Sequence, residues 1–133
     1  MKTSPILIVD DDEDDRYMLQ HAFKTLNQKV QLEVKSNGED AIAYLEEVPT
    51  EHCPCLIVLD YNMPVLNGKE VLKHICSMEK MKDTPTIIFS TSNSSDLAEE
   101  CINSGAFAFK TKPALLEELL KLAEEFLKLC KNN

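Results

Sequence analysis

The stretch Leu56-Ile57-Val58-Leu59-Asp60-Tyr61-Asn62-Met63-Pro64-Val65-Leu66-Asn67-Gly68 decides the fold. Its first four residues are apolar and bounded by turn signals, the pattern of a buried strand, and Asp60 stands where that strand runs out. A carboxylate in that place has two readings. It caps a loop or accepts backbone N–H groups, the commoner role of an Asp after a strand. Alternatively it is a reacting group, because ligands of open α/β sheets bind outside the carboxyl ends of the strands.

The flanking sequence repeats the motif. Toward the N-terminus, Ile6-Leu7-Ile8-Val9 is a second apolar run, and it ends in six successive acids, Asp10 to Asp15. Asp12 to Asp15 suit a helix N-terminus, where acids complement the macrodipole, and they precede Met18, Leu19, Ala22, Phe23 and Leu26 at helical spacing. Asp10 and Asp11 fit that role less well, since they end a buried strand as Asp60 does. Val30, Leu32 and Val34 alternate with polar residues, which predicts a sheet edge with one wet face. Asn37-Gly38 then turns into a helix with Ala41, Ile42 and Leu45, and a polar connection from Glu46 to Cys55 leads to the central strand.

On the other side, Val71, Leu72 and Ile75 mark a helix after Gly68, and Thr86 to Ser90 a fourth strand. Asp96 and Glu99 have capping-box spacing, Gly105 suits a helix end, and Ala106 to Phe109 reads as a fifth strand. The apolar stripe Leu115, Leu116, Leu119, Leu120, Ala123, Phe126, Leu127 and Cys130 predicts a last helix. Five strand–helix units in alternation imply an α/β fold, a parallel sheet with right-handed crossovers and helices on both faces.

Composition narrows the partners. A chain of 133 residues with 44% hydrophobic content is expected to form one domain over residues 1–133. It contains no run of about 18 apolar residues and no signal-peptide pattern, so a cytoplasmic protein is expected, with no membrane partner. The net charge of -9 argues against nucleic acid, whose binders carry basic stripes. The five cysteines are odd in number and lack paired C-x-x-C spacing, which suggests reduced thiols, and His52-Cys53-Pro54-Cys55 lacks a fourth ligand for a zinc site.

If the five-stranded sheet is doubly wound in the order 2-1-3-4-5, the ends of the first, third, fourth and fifth strands are neighbours, and Asp10, Asp11, Asp60, Ser90 and Lys112 would converge on one pocket. This set, with Met63-Pro64 and Gly68 after Asp60, Ser90 thirty residues beyond it, and Lys112-Pro113 twenty-two residues further, resembles the receiver domain of two-component response regulators. The likeness spans essentially the whole chain. Asp10 to Arg16 and Thr91-Ser92 are most similar to the small stand-alone regulators paired with bacterial phytochrome-type kinases.

The resemblance implies a site and a mechanism. Asp60 would be the phosphoacceptor, taking a phosphoryl group from a histidine kinase or phosphotransfer protein. Mg²⁺ would be held by Asp11, Asp60 and the backbone carbonyl of Asn62, with Asp10 acting through a water, and Lys112 would contact the phosphoryl group. Ser90 and Phe109 would be the switch pair, signalling through the fourth helix, fifth strand and fifth helix to a downstream protein or within a homodimer. Such a protein catalyses its own phosphorylation and dephosphorylation and turns over no external substrate. Phe109 replaces the tyrosine frequent in the family, and Thr91 replaces a small residue. The alternative is a pseudo-receiver of the same fold acting as a phosphate-independent binding module. A dehalogenase-like phosphohydrolase needs a second Asp where Asn62 stands, and an acidic first turn would repel a flavin phosphate.

Overall fold

The computed structural model describes residues 4–130, and in it each apolar run becomes a strand and each amphipathic run a helix. The elements are β1 (Ile6–Val9), α1 (Glu13–Leu26), β2 (Leu32–Lys35), α2 (Gly38–Glu47), β3 (Leu56–Asp60), α3 (Gly68–Cys76), β4 (Thr86–Ser90), α4 (Ser95–Asn103), β5 (Ala108–Thr111) and α5 (Leu116–Leu129). Short 3-10 turns at Thr50–His52 and Glu79–Met81 sit in the connections before β3 and β4.

The strands pair in parallel, as the alternation predicts, and their order is β2-β1-β3-β4-β5, the doubly wound order on which the convergence of the strand-end residues depends. β3 is therefore central, with Val58 level with Ile8 on one side and Ile87 on the other. Side chains alternate across a strand, so the sheet feeds two cores. Leu7, Val9, Ile57, Leu59 and Ile88 pack with residues of α2 and α3 and with Cys101 of α4, while Ile6, Ile8, Leu56, Val58, Ile87 and Phe89 pack with α1 and α5. Both faces of the middle strands are thus apolar, the sequence pattern of a sheet covered on both sides. β2 is half-buried along its length, as befits the edge.

Four expectations are corrected. The last strand begins at Ala108 and not at Ala106. Gly105 adopts φ +114°, which favours glycine, and the N–H groups of Gly105 and Ala106 bond Ile102 and Cys101 carbonyls. These two bonds make a Schellman closure of α4, which takes Ala106 out of the strand. The cap of α4 is Ser94, whose hydroxyl accepts from Leu97 N–H; Asp96 lies inside the first turn. Leu115 and Leu116 do not join the buried stripe of α5: Leu115 is its N-cap, and both stay exposed at its start.

The cysteines differ most. Cys55, just before β3, and Cys130, at the end of α5, form a disulfide with Cα atoms 5.0 Å apart, whereas Cys53, Cys76 and Cys101 are free. The pair is separated by 75 residues, so its approach depends on where α5 ends against the sheet, which no local spacing reports. Among the described residues, the one grouping of potential metal ligands excludes His52, Cys53 and Cys55.

Candidate functional site

The carboxyl ends of β1, β3 and β4 and the residue after β5 meet at one rim of the sheet. Asp60 is the last residue of β3 and only 6% exposed; Asp10 follows β1 and is 5% exposed. Asp11, next in the chain, is exposed. One carboxylate oxygen from each of Asp10, Asp11 and Asp60 lies within 4.8 Å of the others.

Local structure fixes these groups. Asp10 Oδ1 accepts the Asp12 N–H at 2.9 Å, and the Asp10 carbonyl accepts from Arg16 Nη1 at 2.9 Å, so Asp10 is tied to the start of α1 from two directions. Asp12 caps α1 by accepting the Asp15 N–H. The end of β3 is held by the loop that follows it: Gly68 N–H bonds the Tyr61 carbonyl at 2.8 Å. A Cβ on Gly68 would come within 2.7 Å of the Asp60 carbonyl oxygen and 2.8 Å of Tyr61 Cα, so only glycine allows the first turn of α3 to lie against the backbone of Asp60. Asn67 and Glu70 complete a capping box that starts the helix there.

Lys112 supplies the countercharge. Its backbone N–H bonds the Ser90 carbonyl at 2.7 Å, which anchors it beside β4. Its ammonium lies 2.8 Å from Asp10 Oδ2, 2.8 Å from Asp15 Oδ2 and 3.2 Å from Asp60 Oδ1, with the side chain only 12% exposed.

Charge and burial set the protonation states. Burial, followed by the nearby Asp10 charge, pushes the Asp60 carboxyl up to about 7, against the pull of Lys112. Burial also raises Asp10, although Lys112 and the Asp12 N–H favour its charged form. Burial acts to lower the Lys112 ammonium, but its hydrogen bonds to Asp10 and Asp15 and the charges of Asp10 and Asp60 outweigh this and hold it above its ordinary value. The lysine therefore stays charged at neutral pH, and Asp60 ionises much less readily than an ordinary carboxyl. Three oxygen donors this close, with one lysine to offset them, suit a hard dication.

The remaining expected residues fall around this core. Ser90 is fully buried at the end of β4; its Oγ accepts the Ser92 N–H at 3.1 Å, which leaves its hydroxyl proton free to donate elsewhere. Asn62 is exposed in the loop two residues after Asp60, and Thr91 is exposed beside Ser90. Phe109 stands apart from the acids, half-buried in β5 and packed on the core shared by α2, α3 and α4. Sequence reading missed Asp15. Its contact with Lys112 spans 97 residues, and as one acid in a run of six it has no local mark that separates it from a solvated helix start.

Comparison with known proteins gives one consistent result. The family profile described as "Response regulator receiver domain" matches residues 6–124. Response regulator Rcp1 of Synechocystis sp. is 30% identical over 122 residues, covering 90% of this chain and 83% of that protein. A crystal structure of the Mn(2+)-bound form of Rcp1 aligns at a TM-score of 0.79 and 28% identity, over 92% of this chain and 90% of the other. Two-component response regulator ARR17 of Arabidopsis thaliana is 31% identical over 125 residues, 88% of this chain and 80% of that protein. The phosphorylated cyanobacterial phytochrome response regulator RcpA aligns at a TM-score of 0.86 with 26% identity, over 98% of this chain and 95% of that chain.

Proposed function

The chain belongs to the response regulator receiver domain family, and from that premise we propose that Asp60 is its phosphoacceptor, Lys112 its phosphoryl contact, and Ser90 with Phe109 its switch. The observation that carries this reading is the position of Asp60, a buried carboxylate at the end of the central strand within 3.2 Å of the partly buried Lys112 ammonium and clustered with Asp10 and Asp11.

In this mechanism the Asp60 carboxylate attacks the phosphorus of a phosphohistidine on a partner kinase or phosphotransfer protein. An oxygen–phosphorus bond forms, the phosphorus–nitrogen bond breaks, and the imidazole leaves, giving an aspartyl phosphate. Asp10, Asp11 and Asp60, with the backbone carbonyl of Asn62, would hold Mg²⁺, which supplies positive charge against the carboxylates and the phosphoryl oxygens. Lys112 donates to a phosphoryl oxygen, so the protein contributes positioning and charge and little covalent chemistry beyond the nucleophile. The Ser90 hydroxyl donates to another, and its shift opens space toward which Phe109 turns. Phe109 carries no hydroxyl, so output through α4, β5 and α5 to a downstream protein or a second copy of the chain rests on shape and apolar contact.

The protein acts in the cytoplasm and turns over no external substrate in this account. The test is transfer from a radiolabelled, phosphorylated histidine kinase. Label should pass to this protein in Mg²⁺, fail to pass in EDTA, and fail to pass to Asp60→Asn. Equal labelling of Asp60→Asn overturns the assignment.

A further inference from the structure

The ammonium of Lys112 offers three protons, and three carboxylates surround it. Two of them, Asp10 and Asp60, belong to the carboxylate cluster; the Asp15 oxygen does not. The three contacts are therefore unequal in what else they can do. When Asp10 and Asp60 turn to a cation or a phosphoryl group, Asp15 is the carboxylate that still holds the lysine.

Asp15 is well placed for this. It lies in the first turn of α1, its backbone N–H fixed at 3.0 Å by the Asp12 carboxylate. Lys112 by contrast reaches the pocket on a flexible four-carbon stem. The Asp15–Lys112 pair, in direct contact at 2.8 Å, lies in the wall of a cavity of about 220 Å³ that Asp10 also lines and whose other walls are mainly apolar, among them Met18, Phe89 and Leu119. The Lys112 side chain is only 12% exposed while that of Asp15 is 41% exposed, so the carboxylate reaches the lysine from the solvent side of the site, and the charge-assisted hydrogen bond between them fixes a direction that a solvated lysine lacks.

We propose that Asp15 is a positioning residue: its carboxylate holds the Lys112 ammonium at the pocket so that the lysine is already in place when the phosphoryl group arrives. This rests on the reading of Asp60 as phosphoacceptor and adds a residue to that site. Asp15 itself touches neither the reacting oxygen nor the cation.

The experiment is a double-mutant cycle between Asp15→Asn and Lys112→Ala, read as the rate of phosphoryl uptake from acetyl phosphate in Mg²⁺. Asp15→Asn should slow uptake about tenfold in the wild-type background and have almost no effect once Lys112 is alanine, because the two residues act as one unit. Asp15→Glu should restore most of the rate, and Asp15→Asn should retain the Mg²⁺ affinity of the wild type. In metal-free buffer the same two substitutions should also be coupled in thermal melts, a readout that needs no phosphoryl chemistry. Uptake by Asp15→Asn at the wild-type rate, or independent losses from the two substitutions, overturns this inference and leaves the phosphoacceptor reading standing. Absence of uptake by the wild type overturns the phosphoacceptor reading and this inference with it.

Discussion

Replacing Asp60 with asparagine should make the metal-free protein more stable, an unusual outcome for a change at a functional centre. The Asp60 carboxyl is displaced from 3.8 in the unfolded chain to about 7 in the fold, by burial first and Asp10 second. An acid whose folded value is raised binds its proton more tightly in the fold, so folding stability falls as pH rises from about 4 to about 7 and levels off above that range. At about 1.4 kcal/mol per pH unit, the ionised Asp60 costs on the order of 4 kcal/mol at pH 8. Asparagine removes this charge but keeps a polar group and deprives Lys112 of one contact, so recovery of about half is expected, near 2 kcal/mol. For a chain of this size that is a rise of about 6 °C in Tm. The assay is thermal denaturation of both proteins in EDTA at pH 8 and pH 5, then at pH 8 with Mg²⁺. The mutant should melt higher at pH 8, the difference should shrink at pH 5, and the mutant should gain less from Mg²⁺ because it has lost a ligand. Wild type at 100 times its dissociation constant should gain about 2.7 kcal/mol. A mutant that melts lower in EDTA at pH 8, or a difference independent of pH, would refute the shared-charge argument.

Other changes probe the supports of the site. Gly68→Ala places a methyl group against the Asp60 and Tyr61 backbone and should destabilise by at least about 2 kcal/mol in urea denaturation while slowing phosphoryl uptake, because the end of β3 must move. Thr91→Ala should shorten the phosphorylated lifetime at fixed Mg²⁺ if the β-branched side chain beside Ser90 crowds water from the phosphoryl group; an unchanged lifetime would show that Thr91 does not shield it. Cys130→Ser, or reduction of the wild type, should lower stability by roughly 2–4 kcal/mol in denaturant melts, because the Cys55–Cys130 bond closes a long loop.

Much of this molecule is legible in its sequence because strong periodicities act alone there. β1, β3 and β4 are nearly pure apolar runs covered on both faces, and their ends carry Asp10, Asp60 and Ser90, so the parallel sheet and the polar residues of the candidate site along its rim are both visible in the sequence. What sequence reading missed depends on contacts between distant segments or on which of several polar residues wins a local competition. Ser94 caps α4 where Asp96 had the better spacing, and the closing turn at Gly105 takes up Ala106. The Cys55–Cys130 bond and the Asp15–Lys112 contact join residues 75 and 97 positions apart, and both depend on how α1 and α5 lie against the sheet.

The central claim is that Asp60 alone accepts the phosphoryl group, and the most direct measurement is intact-protein mass spectrometry with site mapping after treatment with acetyl phosphate and Mg²⁺. The account predicts a single added phosphoryl group that maps to Asp60 and is absent from Asp60→Asn. Full labelling of Asp60→Asn, or a phosphoryl group on any other residue of the wild type, would contradict it.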